Sequence, residues 1–516
     1  MAARFLTSRL QRSGYRFLIR RIEQAFTRRD VRGLSNPFSA QTSALSVGIF
    51  LVGLIAVVGL LVSFIKPRPD RGVDSIVTTQ SGGMYVMFGG TPENPEARLH
   101  PVTNLASARL IVGKPENASV IKDSSLEGIP RGPLMGIPSA PNSLAAHTDD
   151  PATWTLCDRR DAKSDLSLTT AGSIKTTLIA GKDEITEDAE KLEDNQALLV
   201  RSETAPDALW LVFNGKRAEV GRQDFATHAA LGLTPAKINS AMALSGGLVD
   251  AIEVLPTLTI PFIPDRGRVS SAAPKYANGD IVTIGSVDGT GENYVIVDNG
   301  AQRISSVIAA LLINTGSRHI VEASPDAVTS LPQVQVIDTS RYPANVPDIK
   351  TPPTVCYSWS KGRHDMSATT TVYTGEDLPI DRNKEGREII DLLPPNEGVV
   401  QADASLMEPG KGWYVRVTGT SATSMSEEQL MYIDDTGTRY FISVADNGSY
   451  DPVVSALGLN WQLPMPIPWA IAKMYVHGAT LDPKEALVQH AYIPPNPGGV
   501  PVEPKTGALT PPPGQG

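Results

Sequence analysis

Aromatic residues make up only 6% of this 516-residue chain, and cysteine occurs twice, as Cys157 and Cys356. No C-x-x-C or H-E-x-x-H spacing is present, and the seven histidines (His100, His147, His228, His319, His364, His477 and His490) stand apart along the sequence. Thiolate and imidazole ligands must converge on one ion, so the sequence offers no metal site and calls for no cofactor. A G-x-S-x-G elbow is also missing, which removes the exposed serine nucleophile of an α/β-hydrolase. Four Gly-Lys pairs begin at Gly113, Gly181, Gly215 and Gly410, but Pro, Asp, Arg and Gly follow them. A phosphate-binding loop needs Ser or Thr there to hold magnesium, so no nucleotide-binding or catalytic residue is assigned. The acidic stretch KDEITEDAEKLED (182–194) lacks the alternating carboxylates and central glycine of a calcium loop, and reads as a solvated, partly helical surface.

Positive charge is scarce over most of the chain and concentrated at its start. Residues 1–71 hold twelve basic and three acidic side chains, which leaves 34 basic and 52 acidic for the rest. An outer part so acidic is a poor partner for nucleic acid or an anionic lipid surface, both of which reward Lys and Arg clusters.

Between these regions runs LSVGIFLVGLIAVVGLLVSFI, Leu45 to Ile65, without one charge. A helix of that length spans roughly 31 Å, the thickness of a bilayer core. Fifteen of its 21 residues are Leu, Ile, Val or Phe, each favouring insertion by about 0.3 to 0.6 kcal/mol near the midplane. A buried soluble helix would need a polar face, and a cleaved signal peptide a shorter basic region, a shorter apolar run and a small-x-small site. The run ends instead in SFIKPRPDRG. Nine arginines precede it and only Lys66, Arg68 and Arg71 closely follow, which sets the N-terminus in the cytoplasm.

The chain holds 41 prolines and 44 glycines, nearly all of them beyond the anchor, and these predict a loop-rich outer region of several small domains. A weak repeat recurs in it. YVMFGG (85–90) leads to NLASARLIVG (104–113), LWLVFNG (209–215) to HAALGLT (228–234), YVIVDNG (294–300) to VIAALLIN (307–314), and YFISVADNG (440–448) to SALGLN (455–460). Each reads as a strand, a turn closed by Gly90, Gly215, Gly300 or Gly448, and a helix; the third and fourth copies share Asp-Asn-Gly. Proline-punctuated exits follow two of the copies, LPTLTIPFIPDRG (255–267) and QLPMPIP (462–468).

Both cysteines lie in alternating, strand-like runs, ATWTLCDRR and PTVCYSWS. Outside the cytoplasm such a pair is expected to form a disulfide rather than two free thiols. The implied organisation is a basic cytoplasmic segment (1–44), a membrane helix (45–65), repeat 1 (66–130), a central domain in two parts (131–205 and 325–435) with repeats 2 and 3 (206–268 and 269–324) between them, repeat 4 (436–491) and a proline-rich arm (492–516). The fold expected is a single-pass membrane protein: an N-terminal amphipathic helix, one transmembrane helix, and an elongated modular α+β outer region of four β-turn-α repeats around a disulfide-linked central domain.

On the cytoplasmic side Tyr15, Leu18, Ile19, Ile22 and Phe26 form one helical stripe, with Arg9, Arg12, Arg16 and Arg20 on another face. Such a helix can rest on anionic headgroups or pack against a partner helix. Its segment SRLQRSGYRFLIRRIEQAFTRRDVR, followed by a short linker, one membrane helix and a long outer part with two cysteines, closely resembles the EccB family of the type VII (ESX) secretion system. The resemblance implies a core subunit of an inner-membrane channel that exports proteins across a mycobacterial-type envelope. It further implies assembly with the motor ATPase EccC, with EccD and EccE and with the mycosin protease, and periplasmic domains that pair above the pore. The family disulfide would map onto Cys157 and Cys356. Family members have been described as ATPases, for which this sequence shows no phosphate-binding loop. An envelope enzyme and a cell-wall or substrate-binding outer domain are the competing readings.

Overall fold

A computed structural model of the protein describes residues 9–28, 44–45, 47–55, 75–88, 98–160, 174–187, 189–285, 291–381, 388–394, 399–425, 427–459 and 463–493. The chain divides into two compact units, residues 1–70 and 71–516. In the first unit Arg9–Arg28 forms a 20-residue helix, and residues 44–45 and 47–55 are also helical. The remainder of the apolar run, including Ile65, lies outside the described residues. Among the described residues no helix is long and apolar enough to cross a membrane.

In the second unit a six-stranded sheet lies between the others. Its order is Thr369–Gly375, Thr354–Lys361, Ala152–Arg160, Ile174–Ala180, Ala404–Leu406, Ile390–Asp391. Ala152–Arg160 is buried on both faces over nearly its whole length, so its alternating pattern separates two cores rather than core from solvent. Even-numbered Trp154 and Leu156 enter one core; Cys157 enters the other.

Four further sheets share one topology. In each, three strands run as an antiparallel meander, a helix follows, and the next strand returns parallel to the first. The first sheet uses Ile76–Thr79, Met84–Phe88 and Arg98–Pro101, then Leu105–Val112 and Ser119–Ile121. The second uses Gln196–Ser202, Ala205–Phe213 and Lys216–Val220, then Phe225–Ala230 and Met242–Leu244. The third uses Ile281–Ile284, Glu292–Val297 and Gly300–Ile304, then Ser306–Asn314 and His319–Ala323. The fourth uses Trp413–Thr418, Leu430–Ile433 and Thr438–Phe441, then Asp451–Leu457 and Met465–Pro468. A last segment then runs parallel to the third strand: Glu253–Leu258 and Val476–His477 as strands, and Arg131 and Gln333 as single bridges to Leu99 and Ala301.

Shared cores join these sheets. Trp154, Tyr357 and Trp359 of the central sheet pack with Leu198, Val200 and Met242 of the second and with Trp413, Val415 and Met465 of the fourth. Leu211 and Leu231 of the second meet Val295, Val307 and Leu311 of the third. Ala106 and Leu110 of the first meet Tyr440, Val454 and Leu457 of the fourth.

The structure moves several sequence expectations. The fourth copy is displaced by one strand: Thr438–Phe441 is the third strand of its meander, whereas Met84–Phe88, Ala205–Phe213 and Glu292–Val297 are second strands. Asp446-Asn447-Gly448 therefore leads into a helix rather than closing a hairpin, and the true hairpin loop contains Asp434 and Gly437. The boundaries also shift. The central sheet draws on residues 152–180 and 354–406 only, because Gln196–Ser202 belongs to the second sheet and Trp413–Ile433 to the fourth. Among the described residues the acidic stretch holds no helix but a short 3-10 turn, Lys182–Glu184, with Glu184 buried and Lys191 bridged to Tyr373 at the sheet edge.

One buried carboxylate ties the central sheet to the second. Asp158 is 1% exposed; its Oδ2 accepts from the Ser245 backbone N–H at 2.6 Å, and its Oδ1 from the hydroxyls of Ser245 and Thr176, both at 2.9 Å. Ser245 in turn caps the helix Gly246–Ala251. Burial pushes the Asp158 carboxyl up to about 6, against the hydrogen bonds and Arg160, which favour its charged form. The folded state thus holds this proton more tightly than the unfolded chain. The stabilisation it contributes is complete below pH 4 and is lost as pH rises through about 6.

Two outcomes follow. Relative to Asp158→Asn, the native chain should lose on the order of 3 kcal/mol of unfolding free energy between pH 4 and 7; denaturant titrations showing a pH-independent gap between the two proteins would refute this. The bond between Cys157 and Cys356 spans 199 residues, for which loop-closure entropy gives about 5 kcal/mol, with measured bridges often delivering 2 to 4. Replacing both cysteines by serine should lower the unfolding midpoint accordingly. An unchanged midpoint would show that the bridge constrains nothing in the unfolded chain.

Candidate assembly site

Cys157 and Cys356 stand directly opposite in an antiparallel pair and are disulfide-bonded. Their Cα atoms are 4.0 Å apart, and Ile179, Leu378 and Leu406 close over them. On the other face of the sheet, single side chains reach across to the neighbouring units. Trp154 donates Nε1–H to the Pro466 carbonyl at 2.9 Å, fastening the central sheet to the fourth. Arg109 donates Nη1–H to the Leu457 carbonyl at 2.8 Å and its other nitrogens to Glu116 O and Asn117 Oδ1, so the first sheet caps a helix of the fourth. Burial lowers the Arg109 pKa. Tyr432 and Tyr440 donate to the Ala145 and Ser139 carbonyls, holding the strap that leads from the first sheet to the centre.

The strap's His147 stacks on Trp413 with ring centroids 4.5 Å apart. Its burial disfavours the imidazolium, while Asp149 and Glu408 favour it. Four other histidines serve local structure. His100 and His490 bond the Pro133 and Gly136 carbonyls, His228 that of Gly221, and His319 the Thr283 hydroxyl. Asp158, the joint to the second sheet, has two acidic neighbours. Glu203 is pushed up by burial first and by the charges of Asp158 and Asp403 second.

Of the repeat glycines, Gly215 sits with Asn214 in a two-residue hairpin, both at positive φ (70° and 49°), beside Thr370 of the central sheet. A Cβ on Gly300 would lie 2.1 Å from the Pro332 carbonyl, which accepts from the Ala301 N–H. Gly448 has φ 77° with open space around it, and Gly90 lies outside the described residues. The glycines that do recur in equivalent places are Gly113, Gly232, Gly316 and Gly458, all at positive φ where the repeat helix ends. In three of them the next residue's N–H returns to the helix, from Leu233 to His228 O, Ser317 to Leu312 O and Leu459 to Val454 O. The letters Ala-Leu-Gly-Leu, common to the second and fourth copies at 230–233 and 456–459, are this cap. Sequence reasoning also missed Asp158 and Ser245, although a Ser before Gly-Gly-Leu-Val is a readable helix start and Asp158 falls on the core-facing side of its strand.

In the first unit, Tyr15, Leu18, Ile19, Ile22 and Phe26 line the helix Arg9–Arg28 and are all exposed. Six arginines and one glutamate share those 20 residues.

The chain matches the family described as type VII secretion system ESX-1, transport TM domain B, over residues 4–495. It is 33% identical to the ESX-3 secretion system ATPase EccB3 of Mycolicibacterium smegmatis, over 97% of this chain and 94% of that protein. Identity to the ESX-5 secretion system ATPase EccB5 of Mycobacterium tuberculosis is 30%, over 95% of this chain and 94% of that one. Among solved structures, a chain of an intact ESX-5 inner membrane complex matches with TM-score 0.68 and 28% identity, covering 97% of this chain and 99% of that one. A chain of the EccB3 dimer from the ESX-3 core complex gives 0.67 at 31% identity, over 80% of this chain and 100% of that one. With helix, bridged centre and four like sheets all inside the matched range, the chain belongs to the EccB family of the type VII secretion system.

Proposed function

We propose that this chain is a structural core subunit of a type VII secretion inner-membrane complex, with an outer domain that self-associates above the pore. The observation that carries the reading is the near-complete correspondence with a chain of the intact ESX-5 inner membrane complex, supported by likeness to the EccB3 dimer. In this reading Leu45–Ile65 is the single membrane crossing, residues 1–44 are cytoplasmic, and the bridged centre with its four repeats is periplasmic. The repeats are copies of one unit, and the arm beyond Tyr492 extends from the last. EccC, EccD, EccE and the mycosin protease are the partners that the family resemblance supplies. Curated relatives carry the name ATPase. This sequence has no G-x-x-x-x-G-K-[ST] loop, so the work of transport is assigned to the motor subunit and the role of this chain to anchoring, pairing and shaping the outer vestibule.

Gentle detergent extraction should bring the chain out in a megadalton particle that mass spectrometry finds to contain a motor ATPase and a polytopic partner. Recovery solely as a free monomer would end the subunit reading. Topology has its own check: in intact cells an impermeant maleimide should label Ser81→Cys and spare Ser35→Cys, and the opposite pattern would invert the proposed orientation.

A further inference from the structure

Charged side chains in the second unit are mostly compensated where they are buried. Arg160 has Asp158 as its favourable charge, Arg217 has Asp250 beside its stack on Trp210, and Arg109 spends its nitrogens on three acceptors. Arg439 differs. It lies on the third strand of the fourth sheet, is 7% exposed, and donates Nε–H to the Tyr475 carbonyl at 3.2 Å. Its Nη1 is buried with no hydrogen-bond partner among the described residues. Burial lowers its pKa, and among the described residues no carboxylate pairs with it. Desolvating a guanidinium without a counter-charge is costly, and a protein interior normally supplies one.

What Arg439 has instead is aromatic. Phe441, two residues on and therefore on the same face of the strand, places its ring centroid 5.3 Å from the guanidinium carbon, and Trp469 places its own at 5.2 Å. His477, on the neighbouring strand, lies 5.6 Å from the Phe441 ring. Cation–π attraction offsets part of the desolvation. These rings are not sealed into the core: Trp469 is 42% exposed and His477 is exposed as well. An exposed tryptophan over a buried, uncompensated arginine combines two features enriched in the energetic centres of protein interfaces.

We propose that the Arg439–Phe441–Trp469–His477 corner of the fourth sheet is a docking surface for an acidic segment of another protein chain, whose carboxylate provides the counter-charge that Arg439 lacks. The rings would supply apolar contact and the guanidinium beneath them the attracting positive charge. The sign of the partner follows from the local charge alone. Beyond residue 71 acidic side chains outnumber basic ones, 52 to 34, so such a segment meets net repulsion from the outer region as a whole.

The test uses the full-length chain in detergent, with hydroxyl-radical footprinting read at Trp469 by mass spectrometry. Titration to millimolar hexaglutamate peptide should shield Trp469, and hexaglutamine should not. Arg439→Met, which keeps the aliphatic stem, should weaken the hexaglutamate effect roughly tenfold or more, and Arg439→Lys should restore part of it. Unchanged labelling of buried Trp154 certifies that each variant is folded. Because the two peptides are first compared on the native chain, the test does not depend on any variant folding. Absence of shielding by hexaglutamate, equal shielding by both peptides, or undiminished shielding in folded Arg439→Met would each overturn the proposal.

Discussion

The antiparallel pairing of Ala152–Arg160 with Thr354–Lys361 is the constraint on which the outer region depends. It joins residues about 200 positions apart along eight register pairs and is pinned at Cys157–Cys356. The second and third sheets lie wholly within the loop that this pairing closes, so both must return to the same place. Parallel and long-range pairings carry a large closure entropy before they gain contacts, and a covalent link removes much of that cost from the unfolded side. The bridged strand is buried on both faces. One face seals the sulfurs beneath Ile179 and Leu406, while the other presents Trp154, Leu156 and Asp158 to the second and fourth sheets.

The connections between sheets are made by neutral or singly charged side chains on backbone carbonyls more than by ion pairs. Trp154 on Pro466, Arg109 on Leu457 and Tyr432 on Ala145 each satisfy a carbonyl that would otherwise be buried or stranded at a helix end. Such contacts depend little on ionic strength, whereas the surface pairs, such as Arg159–Asp377 and Lys473–Asp250, are screened and contribute little. Asp158 places a titratable charge inside, and it is surrounded by donors. Arg439 carries one with a single acceptor.

Much of this was legible in the sequence. The alternation of ATWTLCDRR and PTVCYSWS marks strands, and a resemblance resting on RFLIRR and RRDVR led to the family that the comparisons establish. The unit of repetition was only partly legible. Asp-Asn-Gly closes a true hairpin in the third copy, where Val297 pairs with Gly300, but precedes a helix at Gly448, because Asn-Gly favours a turn without choosing what comes next. The caps at Gly232 and Gly458 were a better marker, since a Schellman return is often accompanied by an apolar residue just beyond, as Leu233 and Leu459 are. Domain limits were least legible. Nothing local in Gln196–Ser202 tells it to pair with Ala205–Phe213 rather than with the strand before it; that choice is made by which core its side chains complete.

The proline-rich exits have a physical reading that the linear sequence concealed. Pro256 and the pair Pro466 and Pro468 lie inside strands, not loops, and both strands are outermost in their sheets. Proline cannot donate to a ladder, so a strand that carries it can accept one neighbour and refuses the next. In a protein whose relatives are solved as dimers and as parts of larger complexes, five sheets with open edges would invite indiscriminate strand addition. Proline on these two edges disfavours strand addition there and leaves side-chain surfaces as the means of association at those places. At the fourth sheet that favours recognition by a small exposed corner such as Trp469 over Arg439, where a chain without the matching charge gains less.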